Sequence, residues 1–328
     1  MEEFKLDSPP TDCISCIRFS KTSNMLIVSS WDRTVSLYDT DKSKLLNRYE
    51  NKAAVLSCDM IDAETVCLGG LDCEVKMYDF RKKQERVLGR HLAAVSCVLY
   101  VESFHYIISS SWDKSVKIWD ARIDAPQPLL FELKQISKVY SMDISSDLKL
   151  FLSLDDRQIV IYDLRDLSRP LVNRECLLKY NTRSMCSLPN GDGFIIGSIE
   201  GRVGVEYLVD SSTQKPFSFR CHRKPDSMGV ELIYPVNSIT VHPVYGTFAT
   251  GGADGSVCVW DAVAKKRLAY FPNYVPGVAC LAFNHDGTKL AIACSYTFEQ
   301  GNAVTGMPNF VCIRSVKPAE VMPKVSGA

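Results

Sequence analysis

The sequence predicts an all-β fold, a seven-bladed β-propeller that spans residues 1–328 as a single domain and is closed by its N-terminal strand. Three observations predict this fold. A pattern of strand, tight turn and strand occurs six times, and the copies follow one another at a nearly constant spacing. A seventh, incomplete copy at the C-terminus lacks one strand, which the N-terminus can supply. Repeats of this length indicate a ring or stack of similar units.

Each copy has an acid in its turn, seven residues before its last residue. Five copies close on Tyr-Asp or Trp-Asp, whereas the fifth closes on Glu206-Tyr207. A period of 40 to 45 residues that ends in Trp-Asp is typical of the WD-repeat propeller blade. The turn acids, spaced by 40, 41, 43, 44 and 54 residues, are Asp32, Asp72, Asp113, Asp156, Glu200 and Asp254.

Within a copy, apolar and polar residues alternate, as in Val35 and Leu37, which is the period of a half-buried strand. Such a small sheet cannot bury both faces alone, so stacking around a ring must supply its partners. The predicted blades cover residues 13–50, 53–90, 93–133, 136–177, 181–222, 234–272 and 276–316, the last together with strand 3–7.

The seventh blade contains three strand-like stretches, at 278–284, 289–295 and 309–316. Its fourth strand is missing at the C-terminus, and residues 3–7 form an unpaired strand-like stretch at the other end. Pairing that stretch into the last blade would remove two exposed sheet edges. We therefore expect the N-terminal strand to close the ring.

Composition excludes several classes of function. The formal net charge is 0, which argues against nucleic acid as a partner, because binding its backbone needs an excess of Lys and Arg. No apolar run is long enough to span a bilayer, and the acidic N-terminus MEEFKLDSPP lacks the apolar core of a signal peptide. We expect no membrane partner and a location on the cytosolic or nuclear side.

The 13 cysteines are scattered through predicted strands, which suits reduced thiols that serve as small buried hydrophobes. One pair, Cys13 and Cys16, has the spacing of a metal or redox motif. No second such pair follows, and this one lies in a strand rather than at a helix start, so we expect neither a metal nor a cofactor.

No catalytic motif accompanies the histidines. His91 precedes Ser109, Asp113 and Trp119, which occupy the positions where WD repeats build a buried hydrogen-bond network. A Ser, His and Asp trio also serves hydrolases, but no GxSxG nucleophile motif, phosphate-binding loop or HExxH motif is present. The sequence therefore predicts a packing device and no enzyme, except for a site assembled from loops.

Binding residues are expected where the blades differ, since loops on a rigid frame carry function. Two turns contain an extra aromatic residue, Trp31 and Trp112, at the same level of the ring. Each could pack against the next blade, but two together favour a contact surface.

Basic residues cluster in blade five and after it. Lys179, Arg183 and Arg202 come first, followed by residues 208–235, which break the period. There, Phe217, Phe219 and Cys221 alternate with Ser218, Arg220 and His222, which predicts a strand with a basic row. Because arginine binds carboxylates and phosphates with two parallel hydrogen bonds, we expect an acidic or phosphorylated peptide partner. A solvated loop is the alternative.

Several segments resemble the WD-repeat proteins of the spindle assembly checkpoint, the third member of the budding-uninhibited-by-benzimidazole group. The resemblance covers the whole chain and is most specific in blades five and six. The export propeller that binds nucleoporins is a close cousin, but Glu206 and the pair Tyr38-Asp39 favour the checkpoint member. The segments are SSWD at 29–32, GGLD at 69–72, LKYNTR at 178–183, SIEGRVGVEYL at 198–208, FRCHR at 219–223, YPVNSI at 234–239 and FATGGADG at 248–255.

The resemblance implies a non-catalytic adaptor. Its family holds GLEBS motifs of the checkpoint kinase and a kinase-like relative across the top of the ring, and docks on phosphorylated Met-Glu-Leu-Thr repeats of a kinetochore scaffold. By position, Trp31, Trp112, Arg183 and Arg202 resemble the GLEBS contacts. The residues that resemble the phosphothreonine contacts are Arg220, Arg223 and Lys224.

The resemblance also implies a nuclear and kinetochore location with a cytoplasmic pool, and a place in the checkpoint complex that inhibits a ubiquitin ligase. Some family members use a further basic residue in blade six, near Val244, and none stands there. The alternatives are an export-type nucleoporin binder, a substrate receptor of a ubiquitin ligase and a loop-built enzyme.

Overall fold

The computed structural model describes residues 3–123, 128–209, 215–298, 301 and 306–324. Seven four-stranded antiparallel sheets form the blades, and the predicted propeller is confirmed. The first strand is β1 (Glu3–Lys5). Blades one to three consist of β2 (Ile14–Phe19), β3 (Met25–Ser30), β4 (Thr34–Asp39), β5 (Lys44–Glu50); β6 (Val55–Met60), β7 (Thr65–Gly70), β8 (Glu74–Asp79), β9 (Gln84–Arg90); and β10 (Val95–Val101), β11 (Tyr106–Ser111), β12 (Ser115–Asp120), β13 (Leu129–Lys134).

The second half of the chain repeats this order with one insertion, the two-stranded hairpin of β22 and β23. The remaining elements are β14 (Val139–Ile144), β15 (Lys149–Leu154), β16 (Gln158–Asp163), β17 (Val172–Glu175); β18 (Thr182–Ser187), β19 (Gly193–Ser198), β20 (Arg202–Tyr207), β21 (Phe217–Arg220); β22 (Arg223–Pro225), β23 (Glu231–Ile233); β24 (Val236–Val241), β25 (Phe248–Gly252), β26 (Val257–Asp261), β27 (Lys266–Phe271); β28 (Val278–Phe283), β29 (Lys289–Cys294), β30 (Phe310–Ser315); and α1 (Pro318–Val321).

The first strand of each blade is the innermost, and these strands contact one another in cyclic order around a central channel. Because each sheet is an antiparallel meander, the turns between second and third strands lie on the same face as the connections from blade to blade. We call this the upper face. The turns between first and second strands, and between third and fourth, form the lower face.

Closure of the ring follows the prediction. β1 pairs with β30 in antiparallel register, with Phe4 opposite Ile313, so blade seven has the order β28, β29, β30, β1. Glu3 accepts a hydrogen bond from Tyr274 at 3.0 Å and contacts Arg314 at 3.2 Å. The first and last parts of the chain thus share one sheet.

The core lies between the blades. Seven apolar clusters fill the interfaces of neighbouring blades, including the one between blades seven and one, where Leu6, Ile17 and Val311 pack together. Each sheet therefore buries both faces against its neighbours, as the repeat requires.

The two acids of a repeat hold its turns. In blade one, the turn acid Asp32 accepts the N–H of Thr34 at 3.0 Å, and the closing Asp39 accepts those of Asp41 and Lys42 at 3.0 and 3.2 Å. Such side-chain to backbone bonds replace ladder bonds where the chain reverses. The acids of the repeat therefore have structural roles.

Candidate partner-binding face

All seven sequence-predicted site residues lie on or beside the upper face. Trp31 and Trp112 occupy turns between second and third strands in blades one and three. Arg183 follows the first residue of β18, Arg202 begins β20, and Arg220 ends β21. Arg223 and Lys224 follow in β22, so one face of the molecule carries the whole set.

The two tryptophans are only partly packed. Trp31 is 43% exposed and Trp112 is half-buried, and neither ring stacks on another aromatic ring in the part of the chain that the structure describes. Exposed aromatic side chains of this kind supply contact area to a partner.

Arg183 lies at the mouth of the central channel. Its side chain is exposed, and among the described residues its guanidinium makes no hydrogen bond or ion pair. Burial and the carboxylate of Asp155 raise the pKa of the neighbouring Tyr140, and the positive charge of Arg183 opposes them. Arg183 is therefore available to an acidic ligand above the channel.

Arg202, Arg220 and Arg223 surround the turn of blade five that contains Glu200. Arg202 and Arg220 stand directly opposite each other in the β20–β21 register. Arg223 donates to the carbonyl of Glu200 at 2.9 Å, and Arg202 has one carboxylate neighbour, Glu200 at 3.7 Å. Like charges opposite each other across two strands are unfavourable, so an anion on this cluster would stabilise it.

Of the three residues expected to contact phosphate, only Arg220 is exposed and without a hydrogen bond or ion pair to a described residue. Arg223 pairs with Glu231 at 2.9 Å, and Lys224 donates to the carbonyl of Asp254 at 2.6 Å. These last two therefore hold the hairpin of β22 and β23 in place.

A cavity of about 440 Å³ adjoins Arg220 at the outer side of blades five and six. Arg267 and Tyr270 on β27 also line it, and the Arg267 guanidinium lies 5.2 Å from the Tyr270 ring. Sequence reasoning missed Arg267, although the run Lys265-Lys266-Arg267 was a visible signal. Val244, where a further basic residue was sought, lies on the opposite, lower face.

The predicted network around His91 is confirmed. His91 Nδ1 lies 3.1 Å from Asp113, its Nε2 lies 2.8 Å from Ser109 Oγ, and Trp119 donates to the same hydroxyl at 2.8 Å. All of these side chains are engaged with one another, which leaves the serine occupied within the blade.

The expectation for His222 was wrong. It does not extend the basic row of β21 but is buried in a second network of the same kind. Its Nδ1 lies 2.9 Å from Asp254, and its Nε2 lies 2.9 Å from Thr250, which also accepts from Trp260. The basic row therefore ends at Arg220, and His222 ties the hairpin to blade six.

Among the residues that the structure describes, more large apolar side chains are exposed in the upper-face connections than in the lower-face ones. Large side chains exposed in the lower-face connections are Leu171, Val209, Val244 and Val263. Exposed apolar side chains that share a face with basic residues are typical of a protein-binding surface. The upper connections expose Trp31, Leu71, Leu92, Ile136, Leu177, Tyr180, Ile199, Leu232, Ile233, Val275 and Phe298.

All 13 cysteines are free thiols. Among the described residues, no group of three His, Cys, Asp or Glu side chains is arranged to hold a metal ion. The one described helix is far too short to cross a bilayer.

The fold and this face define a WD-repeat β-propeller. Residues 4–39, 82–120 and 233–261 match the family described as WD domain, G-beta repeat. The solved structure of U3-55K superimposes with a TM-score of 0.83 over 96% of this chain and 98% of that chain, at 17% identity, and shows the shared fold.

Full-length relatives identify the family. The chain is 42% identical to the mitotic checkpoint protein BUB3.1 of Arabidopsis thaliana, covering 98% of this chain and 94% of that protein. It is 37% identical to the mitotic checkpoint protein bub-3 of Caenorhabditis elegans, covering 98% and 96%. A poly(A)+ RNA export protein of Schizosaccharomyces pombe is 33% identical, covering 98% and 93%. The chain belongs to the Bub3 family of mitotic checkpoint proteins.

Proposed function

We propose that this protein is a non-catalytic adaptor of the spindle assembly checkpoint, acting in the nucleus and at kinetochores. Its upper face holds GLEBS segments of the checkpoint kinase and of its kinase-like relative. Arg220, Arg223 and Lys224, at the end of β21 and in β22, dock the protein and its bound kinases on phosphorylated Met-Glu-Leu-Thr repeats of the kinetochore scaffold.

One observation carries this proposal: the upper face combines exposed aromatic and apolar residues with Arg183, which has no ion pair to a described residue, and Arg202, whose carboxylate neighbour Glu200 lies 3.7 Å away. Trp31 and Trp112 lie in blades one and three, whereas Arg183 and Arg202 lie in blade five. A ligand that contacts all four must cross the channel mouth. An extended segment with apolar and glutamate side chains fits this requirement, because arginine pairs well with carboxylates.

The first test is the variant Arg202→Ala, measured by calorimetric titration with a GLEBS peptide. Removing one side of a charge pair that binding buries is expected to weaken the interaction by about 2–5 kcal/mol. Arg165→Ala is the matched control, because Arg165 is an arginine paired with Asp163 on the lower face. Equal affinity of the Arg202→Ala variant and the unmodified protein would contradict the assignment.

A second candidate function is nucleoporin binding in messenger RNA export, which the export relative supports. Both functions would use the same upper face. A pull-down from mitotic cells separates them, since recovery of checkpoint kinases supports the first function and recovery of a nucleoporin supports the second.

A further inference from the structure

The central channel contains a cluster of thiols that the proposed adaptor function does not use. The channel has a volume of about 610 Å³, and its wall includes Cys16, Cys97, Cys186 and Cys280. These cysteines come from the innermost strands of blades one, three, five and seven. The environment of Cys16 differs from that of the others.

Cys16 lies beside a second thiol and a guanidinium. Its Sγ lies 3.7 Å from the carbonyl oxygen of Cys58 on β6, the inner strand of the next blade. Both cysteines belong to the packing between blades one and two, where Cys58 is fully buried and Cys16 is half-buried at the channel wall. Arg18 follows two residues later, so it points to the same side of the strand and also lines the channel.

These neighbours favour the thiolate of Cys16. A hydrogen bond with the Cys58 side chain lowers the pKa of Cys16 most, and the positive charge of Arg18 lowers it further, against the effects of burial and of the Asp59 carboxylate. The same hydrogen bond and burial raise the pKa of Cys58, which therefore stays protonated as the donor. The thiolate is the reactive form of cysteine.

Two other cysteines provide an internal comparison. Cys97 and Cys280 occupy the strand position of Cys16 in blades three and seven, and their thiols also lie near a carbonyl of the next blade, at 3.6 and 3.2 Å. Leu99 and Ala282 stand where Arg18 stands in blade one. Burial raises the pKa of Cys97 to about 11, and it raises the pKa of Cys280 as well.

We propose that Cys16 is a peroxide-sensitive modification site and that Cys58 is its resolving thiol. The Cys16 thiolate attacks one oxygen of hydrogen peroxide, the O–O bond breaks, and the released hydroxide takes a proton to become water. The resulting sulfenic acid is attacked by the Cys58 sulfur. The S–O bond of the Cys16 sulfenic acid breaks, and its hydroxyl leaves as water with the Cys58 proton. A disulfide then joins blades one and two.

Overall, two thiols lose two electrons and two protons, and one peroxide is reduced to two waters. The bridge would connect the inner strands β2 and β6 at the channel wall. This inference concerns the channel and does not depend on which peptide the upper face binds.

The test uses the full-length reduced protein treated with hydrogen peroxide, followed by alkylation and peptide mass spectrometry with fragment sequencing, which distinguishes Cys16 from Cys13. At neutral pH, Cys16 is expected to react with iodoacetamide about tenfold faster than Cys97 or Cys280. Peroxide is expected to produce a Cys16–Cys58 disulfide. In Cys58→Ser, dimedone is expected to trap the sulfenic acid on Cys16.

Two variants keep the test decisive if Cys58→Ser does not fold. Arg18→Gln is expected to slow alkylation of Cys16 severalfold, and Cys97→Ser, the matched control, is expected to leave the disulfide unchanged. The proposal is overturned if Cys97 or Cys280 reacts as fast as Cys16, or if peroxide oxidises Cys16 without linking it to Cys58.

Discussion

Glu206 replaces an aromatic closing residue in blade five and takes over a packing role there. It is buried, accepts the N–H of Leu177 at 2.7 Å and lies 3.3 Å from Arg174 on β17. Burial raises the pKa of Glu206, while that N–H and the Arg174 charge oppose the rise. Glu206 therefore ties blade five to the segment that leaves blade four.

In blade two, a buried cluster of charged side chains stands where blade three has the His91 network. Lys76 is fully buried, and its Nζ lies 2.7 Å from Asn51, 2.7 Å from Asp72 and 2.9 Å from Glu74. Burial alone would lower the pKa of Lys76, but Asp72 and Glu74 outweigh it and raise the pKa. Asn51 and Asp72 stand where His91 and Asp113 stand in blade three, so an ion cluster replaces the His network.

A pH dependence of stability follows from His242, in the turn between β24 and β25. Its Nδ1 accepts the N–H groups of Val244 and Tyr245 at 3.2 Å each, and burial lowers its pKa. Because the unfolded chain binds the proton more readily, the stabilisation is present above the ordinary histidine pKa of about 6.5 and is lost as the pH falls below it.

Denaturant unfolding between pH 5 and 8 checks this prediction. The free energy of unfolding is expected to rise with pH, and His242→Asn is expected to flatten that rise by about 1.4 kcal/mol for each pKa unit of depression. His285→Asn is the control, because His285 is exposed. A rise of the same size in the His242→Asn variant would contradict the prediction.

The difference between His91 and His222 shows which residue contacts the sequence could reveal. His91 precedes its turn acid Asp113 by 22 residues, within one regular repeat, so its role was predictable. His222 precedes Asp254 by 32 residues, because the hairpin of β22 and β23 lies between them. A local pattern cannot show that an insertion folds back and restores the same contact.

At the level of elements, the hairpin of β22 and β23 explains the long spacing between the fifth and sixth turn acids. Its two ends lie close to the turn of blade five: a Cβ on Gly201 would lie 2.7 Å from the Cys221 carbonyl and 3.1 Å from that of Tyr234. Gly201 also has a positive φ, as do Arg33 and Lys114 at the same position in other blades.

The hairpin also divides the basic residues by role. Arg223 and Lys224 are engaged with Glu231 and Asp254, partners that sequence spacing does not reveal, whereas Arg220 on β21 is exposed and lines the same cavity as Arg267. The predicted strand is thus confirmed over Phe217–Arg220, but Arg220 is its one basic residue, so the predicted basic row is not formed.

This division gives a prediction for a phosphorylated Met-Glu-Leu-Thr peptide. Arg220→Ala is expected to weaken its binding by about 1.5–3 kcal/mol, the contribution of a hydrogen bond to a charged group, and to leave the melting temperature unchanged. Arg223→Ala is the comparison. It is expected to lower the melting temperature in addition to weakening peptide binding, because Arg223 pairs with Glu231 and donates to the Glu200 carbonyl in the turn of blade five.

Fluorescence anisotropy with phosphorylated and unphosphorylated peptides, together with thermal melts, measures both effects. Binding that is equally tight without the phosphate would contradict a phosphate site at Arg220.

For the whole molecule, the ring depends on one short pairing between its two ends. β1 contributes the ladder to β30 and the contact of Glu3 with Arg314, and Leu6, directly after β1, is buried. The periodicity of the repeat was enough to predict this closure, because a ring of sheets leaves two edges unless the ends meet.

Deletion of residues 1–8 is therefore expected to destabilise the entire propeller. Losing the burial of Leu6 alone corresponds to about 2 kcal/mol, which lowers the melting temperature of a chain of this length by roughly 3 °C. Calorimetry measures the shift, and Asp7→Ala is the control, since its side chain is exposed. An unchanged melting temperature of the deletion variant would show that the ladder contributes nothing to stability.

The same closure has a consequence for synthesis on the ribosome. Lys5 and Phe310 are 305 positions apart, so β1 emerges long before the strand that it pairs with. At ~5–20 residues per second, it waits roughly 15–60 s for that strand. A three-residue strand with the charged residues Glu3 and Lys5 is a poor template for pairing with another chain, which protects the nascent protein during this interval.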